Sequence, residues 1–417
     1  MLALADCNNF YASCERVFQP KLEKKPVLVL SNNDGCVIAR SNESKVLGIK
    51  MGAPVFQVEH LIRQHNVHVF SSNFTLYGDL SKRVMSTMRQ EVKAMEVYSI
   101  DEAFMDFTGE GDPLSKGIAL KKKVSQYTGI PISVGIAPTK TLCKVAGIIA
   151  KKHTKSGVFV LDKTELINRA LKWLPVEDLW GIGRKHARML KNMGVKTAYD
   201  LCRAEESWVK RRLSVVGLKM VKELKGIPCF PLEEHAGRKK NICTSRSFGK
   251  KITHIEDLKE SVSNYASNCA YKLRKQKSCA KRISVFIHTN PFRTTDKQYK
   301  GFTSFVLDSP TNDSMEIIRF ALKGLEKIYR SGYNYKKAGI IVGDIVPQQQ
   351  QQLSLFDSID RQKQQSVMSA LDKINDRMGR DKVRLAVQGQ ARQWKMKREK
   401  LSPSYSTRIE EALTVYL

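Results

Sequence analysis

Three acidic side chains could do the most specific chemistry in this sequence. Asp6 follows the alternating stretch "LALA", and Asp101 and Glu102 stand side by side within "VYSIDEAFMDF". Successive residues of a regular strand point to opposite faces, so an adjacent pair can serve one site only at a strand end or a turn. If the two strands are neighbours, three carboxylates supply the hard oxygen ligands of Mg²⁺, and two such ions support in-line phosphoryl transfer. Acid pairs are more often solvated on turns, so the surrounding sequence has to decide.

The charge of the chain indicates a polyanionic partner. Lys and Arg number 71 against 41 Asp and Glu, which leaves a formal net charge of +30 over 417 residues. An excess this large favours nucleic acid first and an acidic membrane second. No apolar run reaches the ~20 residues that a spanning helix needs, and the N-terminus lacks the basic region of a signal peptide. We therefore expect a cytoplasmic, nucleoid-associated protein that does not use a membrane.

Cysteine and histidine predict no metal site of their own. The nine cysteines are widely spaced and include no C-x-x-C pair. This usage favours free thiols in a reducing cytosol over a zinc site or a disulfide framework. His60, His65 and His68 lie close together but lack cysteine or acidic partners at ligand spacing, so surface histidines are the better interpretation.

The pattern of apolar residues predicts an α+β chain with more than one domain. Strands and helices alternate up to about position 162, and a Lys-rich helical region follows. A polar linker precedes position 242, where a βαββαβ pattern begins, with Thr253 and Glu256 as the capping box of its first helix. Between positions 242 and 300 the chain carries 13 basic and 4 acidic residues. This surplus favours a phosphate-binding surface over a merely solvated face.

A family resemblance extends over essentially the whole chain. It rests on stretches that occur in order, among them "ALADCNNFYASCE", "VYSIDEAFMDF", "GIAPTKTLCKVA", "LWGIGRK", "SRSFGK", "QLSLF" and "LSPSYSTR". The sequence resembles the Y-family, lesion-bypass DNA polymerases of the UmuC type. The resemblance implies an α+β, right-hand polymerase with a ferredoxin-like palm, small fingers, a helical thumb with a helix-hairpin-helix, a βαββαβ little finger and a C-terminal tail. The implied bounds are 1–9 and 72–162 for the palm, 10–71 for the fingers, 163–233 for the thumb, 234–241 for a linker, 242–345 for the little finger and 346–417 for the tail.

The resemblance also implies a nucleotide site on the palm. It makes Asp6, Asp101 and Glu102 the catalytic ligands of two Mg²⁺ ions, with the backbone carbonyl of Cys7 as a further oxygen. It makes Tyr11 the sugar gate, whose ring would lie beneath the deoxyribose and clash with a 2′-hydroxyl. Without the family context, Tyr11 is more simply interpreted as a core tyrosine. The implied nucleotide-binding residues are Phe10, Lys45 and Lys151; family members carry Arg at the Lys45 position, where Lys is only a point charge.

The stretch "LWGIGRKHARMLKNMGVKTAYDL" resembles a helix-hairpin-helix. Its glycines would let backbone N–H groups at a helix start bind a DNA phosphate, without sequence preference. A simple helix-joining turn is the alternative, and a second copy near residues 215–221 lacks the first glycine. The residues implied in DNA binding are Gly181, Gly183, Arg184 and Lys185.

The stretch "QLSLF" follows a glutamine run, which is typical of a flexible spacer. It resembles the peptide by which bacterial polymerases dock on the sliding clamp, with a polar anchor and apolar residues for pockets. The alternative is an amphipathic segment that packs on its own domain. The residues implied in clamp binding are Gln352, Leu353, Leu355 and Phe356.

Together these features predict an error-prone, DNA-directed DNA polymerase for translesion synthesis in the bacterial SOS response. The enzyme would add dNTPs to the 3′-hydroxyl of primer-template DNA by a two-metal mechanism. The resemblance also implies a cleaved UmuD-type dimer and RecA as partners. A non-catalytic DNA-binding or scaffold protein on the same fold is the alternative, which the presence of all three acids and of Tyr11 disfavours. A nucleotide cyclase, which uses a similar palm, would leave the hairpin and the clamp-like peptide unexplained.

Overall fold

The computed structural model describes the chain except for residues 110, 236, 351–358, 380, 390–393, 395 and 415–417. The chain forms two compact units. The first comprises Met1–Ser31, Gly35–Ala236 and Lys400–Leu417, and the second comprises Asn32–Asp34 and Gly237–Glu399. The division between residues 236 and 237 therefore falls inside the stretch that the sequence predicts as a linker.

Strands and helices alternate through most of the first unit, and only helices follow its last strand. Its strands are β1 (Leu2–Cys7), β2 (Val27–Leu30), β3 (Val37–Arg40), β4 (His68–Ser71), β5 (Met95–Val97), β6 (Glu102–Asp106), β7 (Ile132–Ala137) and β8 (Val158–Val160). Its helices are α1 (Phe10–Phe18), α2 (Asn42–Val46), α3 (Val55–Gln64), α4 (Phe74–Arg89), α5 (Pro113–Thr128), α6 (Lys140–His153), α7 (Thr164–Trp173), α8 (Arg184–Asn192), α9 (Ala198–Arg203) and α10 (Glu206–Leu224).

A five-stranded sheet in the order β5–β6–β1–β7–β8 forms the centre of the first unit. β1 is antiparallel to both β6 and β7. Alternation along β1 assigns its residues to two cores: Ala3 belongs to the core that includes α1, α4 and α5, whereas Leu4 belongs to the core that includes α6. Phe104 of β6 also lies on the α6 side. Asp6 follows Leu4 by two residues, and Glu102 precedes Phe104 by two residues. Both carboxylates therefore lie on the face of the sheet that faces α6.

A second, smaller sheet in the order β3–β2–β4 packs against α3, and the Ser44 hydroxyl of α2 donates a hydrogen bond to the carbonyl of Val27 in β2 at 3.0 Å. β2 is antiparallel to β3 and parallel to β4, which leaves β4 at the edge of this sheet. The run "VLVL" of β2 is buried at every residue, as expected for a central strand covered on both faces. This sheet holds α2 and its lysine, Lys45, in place.

Helices α7 to α10 form the last part of the first unit, and their apolar faces share one core with α6. Within α10 the helix is interrupted at Ser214, whose φ of 66° and ψ of −175° are not helical. Backbone conformations of this kind are almost confined to glycine and cost a residue with a side chain about 1–3 kcal/mol. The backbone of Ser214 is therefore strained. Ser214 directly precedes residues 215–221, the stretch that the sequence suggests as a doubtful second hairpin.

Replacing Ser214 by glycine is expected to stabilise the first unit by about 1 kcal/mol. Relief of the strained backbone exceeds the roughly 0.5–1 kcal/mol of chain entropy that glycine costs. Urea unfolding of Ser214→Gly measures the change. Arg211→Gly, at an exposed and regular position of the same helix, is the matched control and should destabilise the protein instead. Equal losses from both substitutions would show that Ser214 is unstrained.

The second unit has the predicted βαββαβ order, and that prediction is confirmed. Its sheet order is β11–β10–β12–β9, with every neighbouring pair antiparallel, and both long helices contribute to its buried core. The predicted capping box is wrong: the first helix begins at Ile255 with His254 as its N-cap and no side-chain cap. The carbonyl of Thr253 instead accepts a hydrogen bond from the Tyr329 hydroxyl at 2.8 Å. The elements are β9 (Ile242–Ile252), α11 (Ile255–Lys275), β10 (Ser278–Thr289), β11 (Lys300–Thr311), α12 (Ser314–Ile328), β12 (Tyr335–Pro347) and α13 (Arg361–Met378).

The predicted tail, residues 346–417, is divided between the two units. α13 belongs to the second unit, where Asp372 forms an ion pair with Arg274 at 2.7 Å. Residues 400–417 belong to the first unit. The clamp-like peptide, residues 352–356, lies outside the described residues.

In the part of the chain that the structure describes, no helix is long and apolar enough to cross a membrane. The nine cysteines are all free, as the sequence predicts.

Candidate active site

Asp6 and Glu102 lie directly opposite each other at the ends of neighbouring strands. Asp6 of β1 pairs in register with Glu102 of β6, so their side chains project from the same face of the sheet. Both line a cavity of about 200 Å³ between the sheet and α6. Two carboxylates placed this close repel each other, which makes the position a natural binding site for positive charge.

Two lysines on α6 supply that positive charge. Lys151 forms an ion pair with Asp6 at 2.5 Å, and Lys144 contacts both oxygens of Glu102 at 2.8 Å. Burial raises the pKa of Asp6 to about 6, with Glu102 acting in the same direction and Lys151 opposing both. The ammonium group of Lys144 also lies 4.6 Å from the centre of the Tyr98 ring and 5.7 Å from that of Trp180. The lysines therefore hold both carboxylates in defined positions.

Asp101 is placed differently from the other two acids. It precedes β6, in a bend, so the Asp101–Glu102 step does lie at a strand end. Its carboxylate accepts a hydrogen bond from the Ser99 hydroxyl at 2.6 Å, and its main-chain carbonyl accepts one from the amide of Cys7 at 2.8 Å. It is not among the residues that line the cavity with Asp6 and Glu102. The structure thus brings two of the three acids together and places the third beside Cys7.

The donor set at this edge of the sheet fits a hard cation. The side chain of Cys7 is buried in the core, and burial, followed by the charges of Asp6 and Asp101, raises the pKa of its thiol. Cys7 can therefore offer its carbonyl but not a thiolate, and the remaining donors are carboxylate oxygens, which suit Mg²⁺. Among the described residues, no three His, Cys, Asp or Glu side chains are arranged as a complete metal cluster. In this structure Lys144 and Lys151 pair with Glu102 and Asp6, and the Ser99 hydroxyl donates to Asp101.

Tyr11 lies in the first turn of α1, just after the loop that follows Asp6. Its ring stacks on Tyr77 of α4 with centroids 4.6 Å apart, and the ring of Phe74 packs perpendicular to it with centroids 6.0 Å apart. The ring is half-buried, and burial followed by the charge of Asp101 raises the pKa of its hydroxyl. Aromatic packing therefore holds Tyr11 in place. Its hydroxyl is close enough to Asp101 to be affected by the charge of that carboxylate. Phe10, the residue before it, is buried in the core.

Lys45 of α2 reaches towards the same strand ends. Its ammonium group donates to the side-chain oxygens of Asn9 at 2.6 Å and Asn42 at 3.2 Å. Burial, followed by the nearby cations Arg40 and Lys151, lowers the pKa of Lys45. Arg40 and Lys151 are therefore close enough to Lys45 to act on its charge, and several cations in one neighbourhood suit a polyphosphate.

The hairpin residues lie at an exposed helix start. Gly183 is the N-cap of α8, and Gly181 has a φ of 90°, a conformation that favours glycine. A side chain on Gly183 would meet no atom within 4 Å, so the backbone here is open to a ligand. Arg184 and Lys185 begin the helix and are exposed.

Sequence reasoning missed two groups of site residues. Lys144 could have been found from a simple pattern. It precedes Lys151 by seven residues, and two helical turns bring both lysines onto one face of α6. Glu15 and Tyr77 could not be found in this way. Their carboxylate–hydroxyl bond, at 2.5 Å, joins α1 to α4 beneath the Tyr11 ring.

Comparisons with known proteins agree over the whole chain. Residues 5–147 match the model of the impB/mucB/samB family, residues 239–355 match the C-terminal domain of that family, and residues 365–415 match a domain of unknown function, DUF4113. The chain is 44% identical to Protein UmuC of Salmonella typhimurium, with 100% of both chains covered. It is 42% identical to Protein ImpB of the same organism, with 98% of both covered.

Solved structures show the same fold at lower identity. A Y-family DNA polymerase chimera of Dbh and Dpo4 superposes with a TM-score of 0.67 at 21% identity, covering 83% of this chain and 99% of that one. A ternary complex of Dbh gives a TM-score of 0.55 at 21% identity, covering 82% and 99%. The predicted fold class is thus confirmed. The chain belongs to the impB/mucB/samB family and is a Y-family DNA polymerase of the UmuC type, a DNA-directed DNA polymerase.

Proposed function

We propose that this chain carries out error-prone translesion synthesis in the bacterial SOS response, with Asp6, Asp101 and Glu102 as the ligands of two Mg²⁺ ions. The observation that carries the proposal is the opposed pair Asp6 and Glu102, which lines one cavity together with its two ion-pair partners, Lys144 and Lys151. The backbone carbonyl of Cys7 completes the oxygen donors. Bound Mg²⁺ supplies activation of the primer 3′-hydroxyl and neutralises charge on the leaving pyrophosphate.

Two lysines of the site, Lys45 and Lys151, would also bind the nucleotide. Lys151 is bound to Asp6 in the structure, and Lys45 is bound to the neutral side chains of Asn9 and Asn42. A triphosphate offers both lysines a more highly charged partner than these side chains do. Lys151 would exchange Asp6 for phosphate oxygens when the dNTP enters, which frees the carboxylate to act as a ligand. Lys144 is not expected to move, because Glu102 and three aromatic rings surround its ammonium group.

Tyr11 would select the sugar. Its stacking on Tyr77 leaves little freedom to move away from a bulkier nucleotide. A ring held in this way beneath the deoxyribose would exclude a 2′-hydroxyl by collision. Phe10, which is buried behind it, would fix the main chain at that point.

DNA binding is proposed for two surfaces, one on each unit. On the first unit, the exposed amides near Gly181 and Gly183 and the cations Arg184 and Lys185 suit a backbone phosphate. On the second unit, burial, followed by Lys337 and Lys300, lowers the pKa of His288 on β10. The positive potential at this sheet favours a phosphate backbone and carries no base preference.

Partners are proposed from the family alone. A sliding clamp would bind the peptide Gln352, Leu353, Leu355 and Phe356, and a cleaved UmuD-type dimer and RecA would act with the polymerase. Tethering to a clamp raises the effective concentration of the enzyme at the primer end.

Primer extension past an abasic site tests the proposal. The full-length chain is expected to extend a primer past the lesion in a Mg²⁺-dependent reaction, assayed with and without a cleaved UmuD-type dimer and RecA. An undamaged template of the same sequence is the control for general polymerase activity. Extension of the undamaged template that stops at the lesion under both conditions would contradict translesion synthesis while leaving the polymerase assignment intact.

A further inference from the structure

The end of the domain of unknown function belongs to the first unit and makes specific contacts with the rest of it. Residues 400–405, here named the strap, lie within that domain, which spans residues 365–415. The strap begins at the free edge of the smaller sheet. The amide of Lys400 donates to the Ser71 hydroxyl at 3.0 Å, the amide of Ser71 donates to the carbonyl of Lys400 at 2.8 Å, and Leu401 forms a parallel bridge with Ser71. The strap thus extends the edge at the end of β4, as an added strand does.

Asn73 connects the strap to α4. Its side-chain oxygen caps the helix by accepting a hydrogen bond from the amide of Leu76 at 3.2 Å. Its side-chain nitrogen donates to the carbonyls of Ser402 at 3.0 Å and Pro403 at 3.3 Å. Asn73 is almost fully buried, so both halves of its amide are committed. The start of α4 and the strap therefore hold each other in place.

Ser402 reaches a buried carboxylate beneath the sugar gate. Glu15 of α1 is completely buried, and one of its oxygens accepts hydrogen bonds from the hydroxyls of Ser402 at 3.0 Å and Tyr77 at 2.5 Å. The other oxygen has no hydrogen-bond partner among the described residues. The Tyr77 ring in turn stacks on Tyr11 with an interplanar angle of 17°. Four side chains in contact therefore lead from the strap to the gate.

The two hydroxyls stabilise the charged form of Glu15 against its burial. Burial raises the pKa of Glu15 to about 7, and the hydrogen bonds from Tyr77 and Ser402 act in the opposite direction. Removing either hydroxyl therefore shifts the carboxyl towards its neutral form near pH 7. A neutral Glu15 would hold the Tyr77 hydroxyl less strongly, because hydrogen bonds to a charged acceptor are the stronger kind.

The far end of the strap is anchored on the same helix. The ring of Tyr405 stacks on Phe18 at the end of α1, with centroids 4.9 Å apart. Its hydroxyl accepts a hydrogen bond from the Gln19 side chain at 3.3 Å. The strap consequently contacts α1 at its middle and at its end, while Tyr11 lies at its beginning.

We propose that the strap positions the sugar gate: Ser402 holds the Glu15–Tyr77 pair, and that pair fixes the ring on which Tyr11 stacks. Ser402, Glu15 and Tyr77 are positioning residues, since none of them is placed to touch the nucleotide. The inference rests on the proposed role of Tyr11. It gives residues 400–405 of the domain of unknown function a part in choosing deoxyribonucleotides over ribonucleotides.

Sugar selection by full-length Ser402→Ala tests the inference. The readout is the ratio of kcat/KM for a dNTP to that for the matching rNTP on one primer-template. We expect this ratio to fall roughly fivefold, through a rise in rNTP incorporation, because one hydrogen bond to a charged group is lost. Tyr77→Phe, which keeps the stacked ring and removes the hydroxyl, should shift the ratio in the same direction. Ser402→Thr, which keeps a hydroxyl, should retain the wild-type ratio.

Ser404→Ala is the matched control, since Ser404 contacts Glu411 within the tail itself. Tyr11→Ala distinguishes an error in the sugar-gate assignment from an error in the role of the strap. If Tyr11→Ala leaves the ratio unchanged, the sugar gate is misassigned. If Tyr11→Ala lowers the ratio but Ser402→Ala and Tyr77→Phe do not, the gate stands and the strap inference is wrong. Equal losses of dNTP and rNTP incorporation in Ser402→Ala and Tyr77→Phe would also overturn it, because the strap would then serve stability alone.

Discussion

Asp101→Ala is expected to reduce Mg²⁺-dependent primer extension by roughly 10²- to 10³-fold, the loss typical of removing one electrostatic stabiliser from a catalytic site. Asp101 is joined to Cys7 through its main chain, and after burial its charge contributes to the raised pKa of both the Cys7 thiol and the Tyr11 hydroxyl. Asp101 is therefore the carboxylate that lies near both the proposed metal site and Tyr11, the proposed sugar gate. The Ser99 hydroxyl donates to one carboxylate oxygen of Asp101, and the main-chain amide of Asp101 donates to that hydroxyl in turn, so the hydrogen bonds within the described residues leave the other carboxylate oxygen for a cation.

Asp106→Ala is the matched control for this substitution. Asp106 lies at the other end of the same strand, where it accepts a hydrogen bond from the amide of Thr108 at 2.8 Å. Loss of that carboxylate should leave extension close to the wild-type rate, since it is remote from the pair Asp6 and Glu102. DNA affinity and thermal unfolding of both variants show whether the fold is intact. Wild-type extension by a folded Asp101→Ala protein would remove Asp101 from the metal site.

The positions of Asp6 and Glu102 could be predicted because they depend on local rules. Each acid ends or begins a strand, side chains alternate with a period of two, and a single pairing of the strands places them opposite each other. The contacts of Asp101 depend on the shape of a bend, which follows from Ser99 and the chain around it rather than from any period. The sequence predicts that all three carboxylates converge on one patch; simple alternation brings Asp6 and Glu102 together, whereas the bend holds Asp101 outside the cavity that they line.

Contacts between distant segments could not be predicted from the sequence. Ser402 and Glu15 are separated by 387 positions, and neither residue belongs to a pattern that names the other. Glu15 is the last letter of the quoted stretch "ALADCNNFYASCE", where it looks like an exposed helix residue, yet it is completely buried. Composition and periodicity describe which face of an element is buried. They do not reveal which polar partner makes the burial of a carboxylate possible.

Glu223 is the clearest example of a buried carboxylate whose partners the sequence does not reveal. Glu223→Ala is expected to lower the free energy of unfolding by roughly 3 kcal/mol or more. Its carboxylate is completely buried at the end of α10. One oxygen accepts hydrogen bonds from the amide and the hydroxyl of Thr141, each at 2.8 Å, and the other accepts from the amides of Cys229 at 3.0 Å and Phe230 at 2.9 Å. Truncation would leave the buried amide and hydroxyl of Thr141 and the partly buried amides of Cys229 and Phe230 without this partner.

The location of Glu223 explains why this loss should also affect the active site. Thr141 lies in the first turn of α6, where a negative charge stabilises the exposed amides and the helix dipole. The same helix carries Lys144 and Lys151, the two lysines that hold Glu102 and Asp6. A loosened helix start should therefore weaken dNTP binding as well as the fold, and KM for the dNTP should rise in the variant.

Differential scanning calorimetry measures the predicted change. For a unit of this size, 3 kcal/mol corresponds to a fall in Tm of about 6–12 °C. Glu206→Ala on the same helix is the control, since Glu206 is exposed and its ion pair with Lys222 at 3.4 Å is worth less than about 1 kcal/mol. Glu223→Gln keeps the shape but turns an amide group towards two of the donors, so its Tm should lie between those of wild type and Glu223→Ala. Equal Tm values for Glu223→Ala and Glu206→Ala would mean that water replaces the carboxylate without cost, and that α6 owes its position to apolar packing alone.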